Sequence, residues 1–253
     1  MSSPSETSIN RLQMQLNPDL DRADLTQRFA ATGRLQIRNI LTPEAAMRME
    51  QAMARDVPWS LTWHDGEEAC LLSPERVGSM TPADRQQLQQ QVFGIARQDF
   101  TYAFGLYHMT PETRRDSATV PVMEQFFEFL RSESMMAFMR DLLGEDDIRT
   151  VDAQASRFGP GQFLGWHNDL MPDHDRRCAY VFNFSRDWRP DWGGYLQFFD
   201  SQGNGLDAFM PSFNTLNIFR VPQPHAVTLV APFAGRYRLA VSGWYRGPHE
   251  KAA

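Results

Sequence analysis

The sequence predicts a mainly β protein: a jelly-roll core with N-terminal helices packed on it. Three observations carry that reading. From Thr150 onward, short runs rich in β-branched and aromatic residues alternate with Gly, Pro, Asp and Asn. Before about Gly144, apolar residues recur at helical spacing behind recognisable caps. The helices precede the strands instead of alternating with them, which opposes a parallel α/β fold and favours helices laid on one face of a β core.

In chain order, residues 1–15 are rich in Ser, Asn and Gln and are expected to form a flexible leader. A single domain is expected over 16–253, helical at 16–149 with the jelly-roll core at 150–246. Thr42-Pro43 is an N-cap followed by proline at the first helical position, and Ala46, Met49 and Met53 follow at helical spacing. Thr81-Pro82 repeats the signal, with Asp84 three residues after the cap and Leu88, Val92 and Ile95 on one face. Tyr102, Phe104, Leu106 and His108 alternate as a half-buried strand does; core packing is the favoured reading, one wall of a pocket the rival. Two more helices are expected over 122–130 and 134–143, with Gly144 as a C-terminal stop. Strands are expected near 150–158, 162–167, 178–184, 194–199, 214–220, 225–230 and 236–245, a number and spacing that fit a jelly roll. Trp188, Trp192, Gly193 and Gly194 read as a tight turn with aromatic packing and no functional role.

Composition narrows the classes. The 253 residues include 18 Phe and 6 Trp, enough to bury a sizeable core without disulfides. The two cysteines, Cys70 and Cys178, form no CxxC pair, which predicts a reducing cytoplasm. No apolar stretch near the N-terminus suits export, and no run approaches the roughly 18 apolar residues of a membrane span. The net charge is −6 with scattered basic residues, so neither nucleic acid nor a membrane is the expected partner. The oligomeric state is left open.

One constellation carries chemistry. Non-haem iron(II) in oxygenases is held by two histidines and one carboxylate on one face of the ion. His167-Asn168-Asp169 supplies an imidazole and a carboxylate two residues apart. On an extended strand those side chains share a face, with Asn168 pointing away. The third ligand must come from another strand, and His225 is the histidine inside a later strand-like segment. Taken alone, an HxD is common by chance, and His167 with Asp169 could be a solvated loop pair capping a turn. The order of a glycine-punctuated strand, HxD, later histidine and arginine within one β-rich region is more specific. His64, His108, His174 and His249 fit less well and are read as structural or exposed.

A 2-oxoglutarate co-substrate would chelate such an iron through its C1 carboxylate and keto oxygen, leaving its C5 carboxylate in need of a cation. Arginine suits that task because its planar fork grips a carboxylate through two hydrogen bonds. Arg236 and Arg238 share a strand face. Arg238 lies deeper in the apolar run, where a buried charge requires a partner, and is favoured over Arg236.

The segment from Ala155 to Tyr245 resembles the prolyl-hydroxylase-like branch of the 2-oxoglutarate/iron(II) dioxygenases, most of all the group that hydroxylates a proline of a ribosomal protein and its bacterial relatives. The matching pieces are Phe158 to Leu164 ahead of His167-Asn168-Asp169, then Arg176-Arg177, Trp188 to Gly194, Pro211 to Asn214, His225, and Arg238 to Trp244. The resemblance implies a double-stranded β-helix core and an iron(II) centre held by His167, Asp169 and His225. It also implies C5-carboxylate binding by Arg238, with Tyr180 and Asn214 as further co-substrate contacts. Oxygen is the second co-substrate implied and ascorbate a supporting reductant. Related halogenases replace the ligand carboxylate with a small residue, so Asp169 points to hydroxylation. One departure stands out. Phe158 replaces a tyrosine usual in the family, a loss of about 1 kcal/mol of hydrogen bonding to 2-oxoglutarate. The resemblance leans to a prolyl residue in a protein as substrate, with a free amino acid or small metabolite as the alternative. A cupin-like metal protein or a sugar-binding jelly roll are the readings outside the class, and neither needs a buried cation.

Overall fold

The computed structural model describes residues 14–110 and 119–248; residues 1–13 of the expected leader, and His249, lie outside them. The N-terminal part contains α1 (Arg22–Thr32), β1 (Arg34–Arg38), α2 (Pro43–Arg55), β2 (Ser60–His64), β3 (Ala69–Leu72), α3 (Pro74–Ser79), α4 (Pro82–Ala96), β4 (Tyr102–His108), α5 (Pro121–Arg131) and α6 (Glu133–Leu143). The strand-rich part contains β5 (Thr150–Val151), β6 (Gln154–Phe158), β7 (Phe163–His167), β8 (Arg176–Asn183), β9 (Leu196–Phe199), β10 (Gly205–Phe209), β11 (Thr215–Arg220), β12 (His225–Val227) and β13 (Arg238–Arg246).

The expected caps form the helix ends. Thr81 and Asp84 close a reciprocal capping box at the start of α4, and Pro121 opens α5. Ser132 caps α6 by accepting from the Met135 N–H, and Gly144 ends it at φ 67°, a left-handed conformation that glycine adopts without strain. At α2, Pro43 occupies the first turn, but the Thr42 hydroxyl makes no capping hydrogen bond. Met14 and Leu16, at the border of the expected leader, are tied down: Met14 is buried in the core and Leu16 bridges Leu41.

All strand pairings are antiparallel, in the order β1-β11-β8-β13-β6-β4-β7-β12-β9-β10, with β2 and β3 joined through β4 and β5 on β13. The sheet curls into a nearly closed jelly-roll barrel with the helices outside, the mainly β architecture expected. The strand content differs from expectation in one respect. The N-terminal part, expected to be mainly helical, also contributes β1 to β4, so strands from both halves of the chain build one sheet.

Alternation along the central strands divides the molecule. On β8 and β13, Tyr180, Phe182, Leu239, Val241 and Tyr245 point outward into the main core, where they meet Phe126, Phe129 and Leu130 of α5 and Met135, Phe138 and Met139 of α6. Each such side chain contributes about 1.5–3 kcal/mol on full burial. The alternate residues, among them Ala179, Val181, Ser242 and Trp244, line the barrel interior instead. One face of these strands holds the fold together and the other is left to form a cavity.

Candidate active site

The barrel interior is a cavity of about 820 Å³. His167 ends β7 and His225 begins β12, and the register of the two antiparallel strands sets them directly opposite, ring centroids 4.1 Å apart. Asp169 does not reach them in the way the sequence implied. It lies beyond the end of β7 at φ 62°, so a left-handed turn, not a shared strand face, aims its carboxylate. Asn168 supports that turn by accepting from the Leu170 N–H at 3.1 Å. The His167 Nε2 then lies 3.4 Å from Asp169 Oδ1 and the His225 Nε2 3.5 Å from Oδ2. Among the described residues, these three form the one cluster with metal-ligand spacing.

The hydrogen bonds fix what those atoms can do. The Nδ1 of His167 lies 2.8 Å from the Gly165 carbonyl and that of His225 lies 2.7 Å from the Gln223 carbonyl. A carbonyl only accepts, so both Nδ1 atoms donate, which leaves each Nε2 as the ring atom available to a metal. Burial first, and His167 after it, pushes His225 down to about 4, so its ring is neutral at pH 7. Burial would raise the Asp169 carboxyl, but the two imidazoles beside it hold it below the usual carboxylate range. Three ligand-type atoms thus converge within 4.8 Å of one another. Two imidazoles and one carboxylate are the donor set that would hold iron(II), and His167, Asp169 and His225 would be its ligands.

Arg238 lines the same cavity. It is 2% exposed, its Nε has no hydrogen-bond partner, and no carboxylate pairs with it among the described residues. Burial alone pulls its guanidinium down to about 10, still charged at neutral pH. Its surroundings account for the quoted motifs. The Phe158 ring lies under the guanidinium at 4.9 Å and stacks on Phe104 at 4.8 Å, so the residue that departs from the family tyrosine supplies a cation–π floor. Gly194 takes φ 68° where a Cβ would fall 3.2 Å from the Arg238 Cδ. The Trp188 indole donates to the Gly193 carbonyl at 3.0 Å and fixes that turn. The Trp-Gly-Gly turn therefore has a role that the sequence reading denied it. Arg236 is the exposed member of the pair, ion-paired to Asp187 at 3.2 Å.

Two expectations are corrected. Tyr180 shares its strand face with Phe182 and Tyr245, and its hydroxyl donates to the Asp152 carbonyl at 2.8 Å on the core side of the sheet. Asn214, at φ 55°, accepts from the Leu41 N–H at 3.0 Å and donates to the Leu41 carbonyl at 2.9 Å, tying the β1–α2 connection to β11. In this structure the polar end of each side chain is thus engaged by a backbone group. Conversely, Tyr102, Phe104, Leu106 and His108, read as core packing, line the cavity, while Phe104 and Leu106 also belong to a small core beneath it.

The sequence reading gave no role to Arg176 or Trp244. The Arg176 guanidinium stacks on the Trp244 ring at 3.6 Å and donates to the Asp169 carbonyl at 3.0 Å, bracing the turn that aims the carboxylate. A bulge where β8 meets the end of β13 breaks the alternation that would send Arg176 outward with Tyr180. A motif that pairs an arginine with a tryptophan on neighbouring strands was the available signal.

Comparison with known proteins agrees with this geometry. Residues 153–246 match the 2OG-Fe(II) oxygenase superfamily. The prolyl 3-hydroxylase OGFOD1 of Xenopus laevis is 30% identical over 136 residues, covering 46% of this chain and 26% of that protein, so the match spans about a quarter of the curated relative. A Pseudomonas putida prolyl-4-hydroxylase shares the fold with a TM-score of 0.58 at 18% identity, over 90% of this chain and 99% of that one. A prolyl hydroxylase from Trichoplax adhaerens, solved with a peptide fragment of the hypoxia inducible factor oxygen degradation domain, has a TM-score of 0.57 at 14% identity over 89% of each chain. With the match over the barrel, the shared fold and the His-Asp-His cluster beside a buried arginine, residues 153–246 of this chain are similar to the 2OG-Fe(II) oxygenases.

Proposed function

We propose that the protein hydroxylates an unactivated C–H bond of a prolyl residue in a protein, consuming 2-oxoglutarate and oxygen. The observation that carries this reading is a charged guanidinium, unpaired among the described residues, buried in the same cavity as three converging metal-ligand atoms. His167, Asp169 and His225 hold iron(II), and Arg238 binds the C5 carboxylate of 2-oxoglutarate. The metal and co-substrate supply the oxidising power through decarboxylation to succinate and carbon dioxide, while the chain positions both and keeps bulk water from the buried end of the cavity. Helices and barrel act as one domain.

A polypeptide substrate is favoured by the rim. Leu71 on the β2–β3 hairpin is exposed at the cavity wall, and Trp166 and Leu170, next to His167 and Asp169 in sequence, are each 58% exposed. These apolar groups would cover residues flanking a target proline, whereas a free amino acid would leave them wet. The Trichoplax adhaerens structure, with its bound peptide, supports the same mode. Cytoplasmic placement rests on Cys70 and Cys178, both free thiols with Cys178 fully buried. Among the described residues no helix is long and apolar enough to cross a membrane.

The test is succinate formation from 2-oxoglutarate with iron(II) and ascorbate, alongside mass spectrometry of lysate proteins for a gain of one oxygen on proline. Succinate coupled to oxidised prolyl peptides is the expected result. Coupling to a free amino acid and to no peptide would overturn the substrate, and no 2-oxoglutarate turnover would overturn the activity.

A further inference from the structure

A second cavity, of about 370 Å³, lies on the opposite face of the strands that wall the first. On β4, Tyr102, Phe104 and Leu106 face the first cavity, and Ala103 and Gly105 between them face the second. On β6 the same alternation sends Phe158 beneath Arg238 and Arg157 the other way. Helix α4 covers the second cavity with Leu88, Val92 and Phe93, and the Gly159–Gly161 turn closes one end.

Charge and hydrogen-bond capacity single it out. The half-buried Arg157 guanidinium is held between two aromatic rings, 5.2 Å from the Trp59 centroid and 4.7 Å from that of Tyr237. Cation–π contacts orient a guanidinium but neutralise nothing. Arg157 makes no side-chain hydrogen bond and no ion pair among the described residues, and the cavity lining contains no Asp or Glu. A second guanidinium, Arg85, shares the lining and donates to the Val77 carbonyl at 2.6 Å. Burial pulls Arg157 below the ordinary arginine range against the opposing effect of Tyr237, and the charge of Arg85 adds a smaller lowering, so the two cations are close enough to repel. Gln86 and Gln89 also line the cavity, and their carboxamides make no hydrogen bond among the described residues. Two unneutralised guanidiniums and two free amides beside an apolar wall form a donor-rich site for an anion with an apolar body.

We propose that this cavity binds a small amphiphilic carboxylate, its carboxylate on Arg157 and Arg85 and its apolar part against Leu88 and Val92. The site is separate from the co-substrate cavity and does not depend on the oxygenase reading. Benzoate is the probe, titrated calorimetrically into the full-length chain loaded with iron(II) under nitrogen and saturated with 2-oxoglutarate, which keeps Arg238 engaged. One equivalent of benzoate is expected to bind, more tightly than inorganic phosphate, with affinity reduced at least about tenfold by Arg157→Gln and largely kept by Arg157→Lys. Arg85→Gln, on the exposed side of α4, tests the same site should Arg157→Gln fail to fold, and is expected to weaken benzoate several-fold. Three results would overturn the proposal: no saturable heat with benzoate, affinity unchanged in both Arg157→Gln and Arg85→Gln, or phosphate binding more tightly than benzoate.

Discussion

At the scale of single residues, Arg238 sets function against stability. Its charge is buried without a partner, a costly state unless an anion offsets it. Arg238→Met should therefore stabilise the ligand-free protein by about 1 kcal/mol or more. On the proposed reading that Arg238 grips the C5 carboxylate through two charge-assisted hydrogen bonds, worth about 3 kcal/mol, the same change should raise the KM for 2-oxoglutarate about 100-fold. Denaturant melts and succinate kinetics measure the two effects, and a melt showing lower stability would contradict the unpaired charge. His225 gives a pH dependence. Its folded value of about 4 lies below the 6.5 of the unfolded chain. Between those values the unfolded chain binds a proton that the folded one refuses, so acid favours unfolding. Stability of the metal-free protein should be complete above pH 6.5 and fall by up to about 3 kcal/mol as the pH drops towards 4. A His225→Gln variant with the same slope would assign the loss elsewhere. The triad was legible because metal chemistry demands particular residue types at recognisable spacing. Tyr180 and Asn214 were misread for a physical reason. Cys178, Tyr180 and Phe182 are apolar on one face of β8 and Ala179 and Val181 on the other, so polarity gave no sign of which face met the cavity.

Elements were legible in proportion to how strongly burial patterned them. The main helices declared themselves through caps and apolar spacing, and seven of the core strands through alternation or apolar runs. Strand β10 did not, because Gly205 to Ala208 is exposed throughout, so burial imposes no pattern on it. The β2–β3 hairpin was missed because its second strand is only half buried and carries no consistent apolar face. The junction of β13 with the β5–β6 turn shows what an element can demand of one residue. Asp152 accepts from the Tyr180 hydroxyl through its carbonyl and from the Trp244 N–H through its carboxylate at 2.8 Å, and it pairs with Arg246. Gly243 lies against that carbonyl so closely that a Cβ would overlap it. Gly243→Ala should push β13 off its anchor and cost about 1–3 kcal/mol, read as a lower denaturation midpoint. The neighbouring Trp244 should report the shift as a change in its fluorescence; an unchanged midpoint would mean that the turn yields freely.

For the whole molecule, the two faces of the same strands divide the labour, and that division can be tested directly. Phe126 lies in the helix-side core, fully buried against Phe182 and Phe184 with ring centroids 5.2 and 5.8 Å away. Arg238 lies on the cavity side of β13, whose alternate residues Leu239 and Val241 join the core with Phe126. If the sheet is a stiff partition, a loss of packing behind it should leave the geometry in front unchanged. Phe126→Leu should then destabilise by about 1–3 kcal/mol while the folded protein keeps its KM for 2-oxoglutarate. Arg238→Met should do the reverse, gaining stability and losing co-substrate affinity. In the double variant the two stability changes should add within about 0.5 kcal/mol, since the sites share no partner. A KM that moved with Phe126→Leu, or strongly non-additive stabilities, would mean that the sheet transmits core strain to the cavity and that the two faces are not independent.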